Sequence, residues 1–218
     1  MQHPSAERWR QLMQHLPPTA RLLAVSKGHS AEAVREVASL GQLAFGESRL
    51  QEAVPKQLQL EDLPLQWHYI GRLQSNKVRG VVRAFSIIHS IDSLALAERV
   101  SRIAAEEGCS PDVLLQVKLR PDPAKGGFTE ELLLEVWPQL VSLPSMQIQG
   151  LMTMAPQALE ATERLCLFQE CSALAERLGL PERSMGMSGD WREAVEAGST
   201  WLRLGSALFG PRSAVTDG

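Results

Sequence analysis

Short apolar runs recur along the chain, separated by longer amphipathic stretches. Arg21 to Ser26, Leu43 to Phe45, Gln66 to Ile70 and Phe85 to Ser90 read as strands, as do Asp112 to Leu119, Met146 to Leu151, Ser184 to Met187 and Thr200 to Leu204. Helical patterning fills the intervals. Ser30 is placed to cap a helix running through Leu40, with Gly41 as its stop. Further helices are predicted after Gly46-Glu47-Ser48 to about Leu60, from near Ser75, from Ser93 to Gly108, and from Thr129 to about Leu140. A long one follows the Ala155-Pro156 turn and ends at Gly179. Another runs from about Asp190 to Ala197, and a last short one ends at Gly210-Pro211. Residues 5–15 predict an extra N-terminal helix closed by Pro17-Pro18.

Eight strand–helix alternations imply a parallel sheet covered by helices. Eight of them favour a closed (β/α)8 barrel of the TIM type over an open doubly wound sheet. Strand one is not followed by a glycine-rich dinucleotide fingerprint, which weakens the Rossmann alternative. The expected organisation is one barrel domain over residues 1–218, with 1–18 as the N-terminal helix and lead-in and 213–218 as a flexible tail. A barrel of 218 residues has short loops, since about 250 is typical and roughly 200 the lower limit.

Composition narrows the function classes. Hydrophobic residues make up 44%, ample for a core, and the net charge of −3 argues against general nucleic-acid binding. No apolar run approaches the roughly 20 residues of a membrane span. The N-terminal MQHPSAERWRQ lacks a signal peptide's apolar core, so a cytoplasmic protein is expected. Cys109, Cys166 and Cys171 are too few and too scattered for a disulfide framework or a zinc site, and read as ordinary thiols. No metal site is expected.

Two C-terminal stretches suit a phosphate. Ser184-Met185-Gly186-Met187-Ser188-Gly189 and Arg203-Leu204-Gly205-Ser206 both set small residues between an apolar run and a helix start. Backbone N–H groups at such a start favour a dianion. In a barrel these stretches follow strands seven and eight, where phosphate sites are common. Closure makes strand eight the neighbour of strand one, which ends at Lys27. A lysine beside a phosphate cradle points to pyridoxal 5′-phosphate (PLP), whose aldehyde condenses with an amine. An inward Lys27, sharing a face with Leu23 and Val25, would have a lowered pKa and an available neutral amine. Arg203 and Gly205 share a face, so Arg203 could reach the pyridine nitrogen while Gly205 admits the phosphate. An arginine there only donates and disfavours protonation of that nitrogen. Blander readings exist for each residue. Lys27 could be a surface lysine at a strand end, Arg203 a rim partner of a carboxylate, and Ser188 a plain helix cap. Met185 and Met187 read as core filling, His68 and His89 as hydrogen-bonded structure, and Lys77, Lys118 and Lys125 as solvated charges.

The chain resembles the YggS/PROSC group, the pyridoxal phosphate homeostasis proteins. The resemblance runs from about residue 20 to residue 212. It is carried by Val25-Ser26-Lys27, by Phe45 to Glu52, and by the run from Trp67 through Ile70-Gly71-Arg72-Leu73-Gln74-Ser75-Asn76 to Lys77. Further blocks are His89 to Ser93, Gly150 to Pro156, Ser184 to Ser188, and Arg203 to Gly210. It implies a barrel like the N-terminal domain of alanine racemase. It also implies PLP held as a Schiff base on Lys27, its phosphate on Ser188 and the backbone at Gly205 and Ser206, and Arg203 near the pyridine nitrogen. Ser48, His68 and Met187 are further expected to line the pocket. Ser48 stands where relatives commonly have asparagine, and Lys118 departs in the same way.

The implied role is to carry or buffer PLP in vitamin B6 and amino-acid and keto-acid homeostasis without established turnover, with apo-enzymes as recipients and no catalytic residue. Two other classes are weighed. One is a PLP-dependent racemase or related enzyme of low activity, for which the single tyrosine, Tyr69, offers no evident second base. The other is a barrel enzyme using Lys27 on a sugar-phosphate carbonyl. A single domain with short loops leans towards a monomer.

Overall fold

A computed structural model describes residues 4–122 and 125–211; the expected tail at 213–218 and Pro123 lie outside the described residues. Eight parallel strands close into a barrel in strict chain order, and the first strand pairs with both the second and the eighth. The elements run α1 (Pro4–His15), β1 (Arg21–Val25), α2 (Ala31–Ala38), β2 (Ala44–Glu47), α3 (Leu50–Leu58), β3 (Gln66–Tyr69), α4 (Val78–Ala84) and β4 (Ile87–Ile91). They continue α5 (Leu94–Glu107), β5 (Asp112–Gln116), α6 (Glu130–Val141), β6 (Gln147–Met152), α7 (Ala161–Arg177), β7 (Glu182–Ser184), α8 (Trp191–Glu196), β8 (Trp201–Leu204) and α9 (Ser206–Phe209).

The caps follow the chemistry of the side chains. Ser30, Ser93 and Thr129 each accept a backbone N–H at the start of α2, α5 and α6. Gly108 ends α5 in the left-handed conformation, which glycine adopts without a Cβ penalty.

Most strand ends fall within one or two residues of the expectation, and two strands end three residues early for physical reasons. Strand seven is Glu182–Ser184 rather than Ser184 to Met187, because Gly186 takes φ +87 and turns the chain off the sheet. A Cβ at Gly186 would lie 2.6 Å from the Ala194 Cβ, so the turn packs directly on α8. Strand five stops at Gln116 rather than Leu119, because Val117 bridges Phe128 and Lys118 N donates to the Phe128 carbonyl.

Most of the apolar core lies between barrel and helices, with Phe45, Phe128 and Phe168 fully buried. Inside the barrel the filling is split. Leu23, Ala44 and Trp201 form one small cluster, and Ile87, Leu114 and Met152 another. Register puts Leu23 beside Arg203 and Ala24 beside Leu204, which brings the end of β1 against the end of β8. No helix among the described residues is long and apolar enough to cross a membrane.

Candidate cofactor site

A cavity of about 450 Å³ opens at the C-terminal ends of the strands. It draws Lys27 from the turn after β1, Arg203 from β8, and Met187, Ser188, Gly189, Gly205 and Ser206 from the turns after β7 and β8. This is the end of a barrel where strand-terminal residues converge. Lys27 is half-buried and lies two residues beyond the last residue of β1.

Two serine hydroxyls face each other at one side of the cavity. Ser206 Oγ donates to Ser188 Oγ at 3.1 Å, and Ser188 Oγ also accepts from Ala207 N at 3.3 Å. Gly205 sits between them and the barrel wall, where a Cβ would come within 3.3 Å of the Val25 carbonyl. Space beside Gly189 is open for at least 4 Å. Two hydroxyls and an uncovered glycine turn make a concave patch of donors, which suits a tetrahedral oxyanion.

Arg203 is almost fully buried. Its Nη1 donates to the Ser184 carbonyl at 2.6 Å and to Ser184 Oγ at 2.7 Å, and its Nη2 to the Thr153 carbonyl at 2.9 Å. Burial pulls its pKa down to about 10, so it stays charged at neutral pH. The alternative of a rim arginine paired to a carboxylate is not what the side chain does.

Three residues expected near the pocket fare differently. Met187 is partly exposed and lines the cavity, whereas Met185 alone is core. Ser48 follows β2 and lies outside the cavity lining, its backbone packed where a Gly71 Cβ would go. His68 points into the barrel interior one layer below, fully buried, with its Nδ1 2.9 Å from His89 Nε2. Burial drops the His68 pKa to about 3, and burial together with His68 and Arg203 pulls His89 well below its usual range. Lys125 is not simply solvated, since it bonds the Ala155 carbonyl at 3.3 Å and pairs with Asp122 at 3.3 Å.

The sequence reading missed a buried ionic cluster behind Lys27. Lys56 of α3 donates to Glu47 Oε1 at 2.6 Å, to the Ser26 carbonyl at 2.9 Å and to Glu52 Oε1 at 3.1 Å. Ser26 Oγ donates to Glu47 Oε1 at 2.7 Å, and Glu52 Oε1 accepts from Gly28 N at 2.5 Å. The residues on both sides of Lys27 are thus fixed by α3. Burial pushes the Glu47 carboxyl up, against the pull of Lys56 and Ser26. The available signal was Lys56 at i+4 from Glu52 in a helix directly after β2.

Cys171 is fully buried and burial raises its thiol to about 12, while Cys109 and Cys166 are partly and largely exposed. No group of metal-ligating residues forms among the described residues.

Comparison with known proteins agrees with the barrel fold. The family described as alanine racemase, N-terminal domain, matches residues 5–213. A Synechocystis protein named pyridoxal phosphate homeostasis protein is 47% identical over 204 residues, covering 90% of this chain and 94% of its own length. A Pseudomonas aeruginosa protein of the same name is 42% identical, covering 90% and 86%. PipY of Synechococcus elongatus, solved without PLP, aligns with a TM-score of 0.92 at 51% identity over 94% of this chain and 99% of PipY. Its structure with PLP bound gives 0.90 at 50% identity over 94% and 100%.

Proposed function

This chain belongs to the pyridoxal phosphate homeostasis protein family, and from that premise we propose that it binds PLP at the cavity and acts by holding and releasing it. The observation that carries the reading is the meeting of one lysine, one buried arginine and a paired-serine turn on a single cavity. Lys27 is the proposed point of covalent attachment. Ser188, Ser206 and the backbone at Gly205 are the proposed phosphate holders, and Arg203 the proposed partner of the pyridine nitrogen.

Bound PLP supplies an electrophilic carbon and an electron-withdrawing ring. The protein's own residues favour retention over turnover. Arg203 can only donate, and its charge opposes protonation of the ring nitrogen that would strengthen electron withdrawal. Tyr69 does not line the cavity; its hydroxyl bonds the Arg72 carbonyl at 3.3 Å and its ring packs on Phe85 outside the barrel. A second base within reach of a substrate carbon is therefore not supplied by that tyrosine. The proposal includes action as a monomer in the cytoplasm, with PLP-requiring apo-enzymes as recipients.

The test is an absorbance spectrum of purified protein with added PLP, before and after borohydride, with the modified peptide mapped. Expected is a visible band and a stable adduct on Lys27. A colourless protein that PLP does not reconstitute overturns the reading, and an adduct mapped elsewhere overturns Lys27 as the anchor.

A further inference from the structure

Four polar side chains from four strands meet inside the barrel. His68 of β3, His89 of β4, Ser184 of β7 and Arg203 of β8 are each no more than 5% exposed. They form one unbroken chain. His68 Nδ1 lies 2.9 Å from His89 Nε2, His89 Nδ1 lies 2.9 Å from Ser184 Oγ, and Arg203 Nη1 donates to Ser184 Oγ at 2.7 Å. Such a network in an apolar interior is costly unless its groups are met. Neither histidine nor Ser184 lines the cavity, so the chain is not used by direct contact with a ligand.

The direction of its protons can be worked out. Arginine only donates, so Ser184 Oγ accepts from Arg203. In one direction Ser184 donates its proton to His89 Nδ1. His89 then carries its proton on Nε2 and donates to His68 Nδ1, and His68 is left with a proton on Nε2. That atom has no hydrogen-bond partner, and the His68 ring packs edge-to-face with Trp201, centroids 4.8 Å apart. One N–H is then unmet. In the reverse direction Ser184 takes two donors and its own proton has no acceptor among the described residues, while the His68 Nε2 lone pair is also bare. Two groups are then unmet, and each buried unmet group is costly. The first direction wins.

In that direction every dipole points the same way, with its acceptor end towards Arg203. The guanidinium spends three of its five N–H groups on Ser184 and Thr153, and makes no ion pair among the described residues. Its two remaining donors belong to a side chain that lines the cavity. A carboxylate partner would hold the arginine equally well but would cancel its charge. Aligned neutral dipoles hold it and leave the charge in place.

Building on the function proposed above, we propose that His89 and His68, acting through Ser184, are positioning residues that aim Arg203 at the cofactor's pyridine nitrogen as an uncompensated cation, and so keep that nitrogen unprotonated. The chemistry distinguishes two near-isosteric variants. His89→Asn places an amide oxygen where Nδ1 stood and can still accept from Ser184. His89→Gln extends its amide to the Nε2 position, reaches His68 and leaves Ser184 without its acceptor.

The experiment has two parts. Nitrogen-15 NMR of histidine-labelled, PLP-free protein reads the tautomers directly; both rings are expected neutral and protonated on Nε2. PLP titration of the wild type and the two variants then reads binding, with pyridine-nitrogen-labelled PLP reporting the ring's protonation. His89→Gln is expected to weaken PLP about tenfold or more and shift the pyridine signal towards the protonated form, while His89→Asn stays within about threefold of wild type. A His89 protonated on Nδ1 overturns the proposed direction. A folded His89→Gln protein with wild-type affinity and an unchanged pyridine signal overturns the positioning role, as does equal loss in both folded variants. A wild type that takes up no PLP defeats the functional reading itself, and the NMR result still decides the direction of the chain.

Discussion

Lys56 Nζ lies 2.6 Å from Glu47 Oε1 with both side chains withdrawn from solvent, one from α3 and one from the end of β2. The pair does more than neutralise itself, since Lys56 also bonds the Ser26 carbonyl and Glu47 also accepts from the Ser26 hydroxyl. Ser26 is the residue before Lys27. Removing one partner strands the other charge in the interior, which typically costs roughly 3–5 kcal/mol. Lys56→Met is therefore expected to lose about that much stability in urea unfolding. Adding Glu47→Gln should restore part of it, because the stranded charge is gone. A single variant as stable as wild type would contradict the account.

The serine pair separates binding from stability. Ser188 Oγ and Ser206 Oγ are solvent-accessible at the cavity edge, so their loss leaves no buried group unmet. A hydrogen bond to a charged group is worth about 1.5–3 kcal/mol. Ser188→Ala is expected to weaken PLP by roughly tenfold to a hundredfold, with a melting temperature close to wild type. PLP affinity unchanged in that variant would remove Ser188 from the phosphate site.

Acid should destabilise the fold through the two interior histidines. An unfolded histidine titrates near 6.5, whereas His68 in the fold is held to about 3 and His89 is also well depressed. Below about pH 6.5 the unfolded chain takes up protons that the folded chain refuses. Stability is then fully present above that value and is lost as the pH falls, at up to about 1.4 kcal/mol per pH unit for each ring. Urea unfolding of wild type and His68→Leu between pH 7 and pH 4.5 isolates one ring's share. The variant should show a shallower decline, and parallel declines would refute the burial of a neutral His68.

The sequence carried the barrel and the outer parts of the site because both are written locally. Apolar runs separated by amphipathic helices specify strand order, and Lys27, Arg203 and Gly205 each lie at or just past the end of a strand, so closure alone brings them together. Strand seven was misplaced because its residues, Glu182 and Arg183, look like a polar turn after Pro181, while Met185 and Met187 look like an alternating strand. The Glu47–Lys56 cluster and the His68–His89–Ser184 chain were invisible for a different reason. Their members come from separate elements and have ordinary readings one at a time. Only the packing of α3 against β2, and the register of β3 with β4 and of β7 with β8 around the barrel, makes them groups.

The N-terminal helix should matter to the cofactor without touching it. Helix α9 has four residues, too few to hold itself together in water. Its far end is held by Arg8 of α1, whose Nη1 donates to the Leu208 carbonyl at 3.1 Å. Gly210, at φ +87, lies so close that a Cβ there would be 3.1 Å from the same nitrogen. Phe209 meanwhile stacks on His29, two residues after Lys27, with ring centroids 4.7 Å apart. Arg8 thus secures the turn whose first residue is Ser206, and the positive charge suits the carbonyl end of the helix. Arg8→Ala is expected to weaken PLP a few-fold, up to about tenfold, by loosening that turn. Borohydride labelling of Lys27 at saturating PLP should remain complete, because the lysine side of the cavity is fixed separately by α3. Titration of the variant, set beside its urea unfolding curve, checks this. An affinity equal to wild type would show that α9 holds its place without the helix, and loss of Lys27 labelling at saturation would show that the two sides of the cavity are not independent.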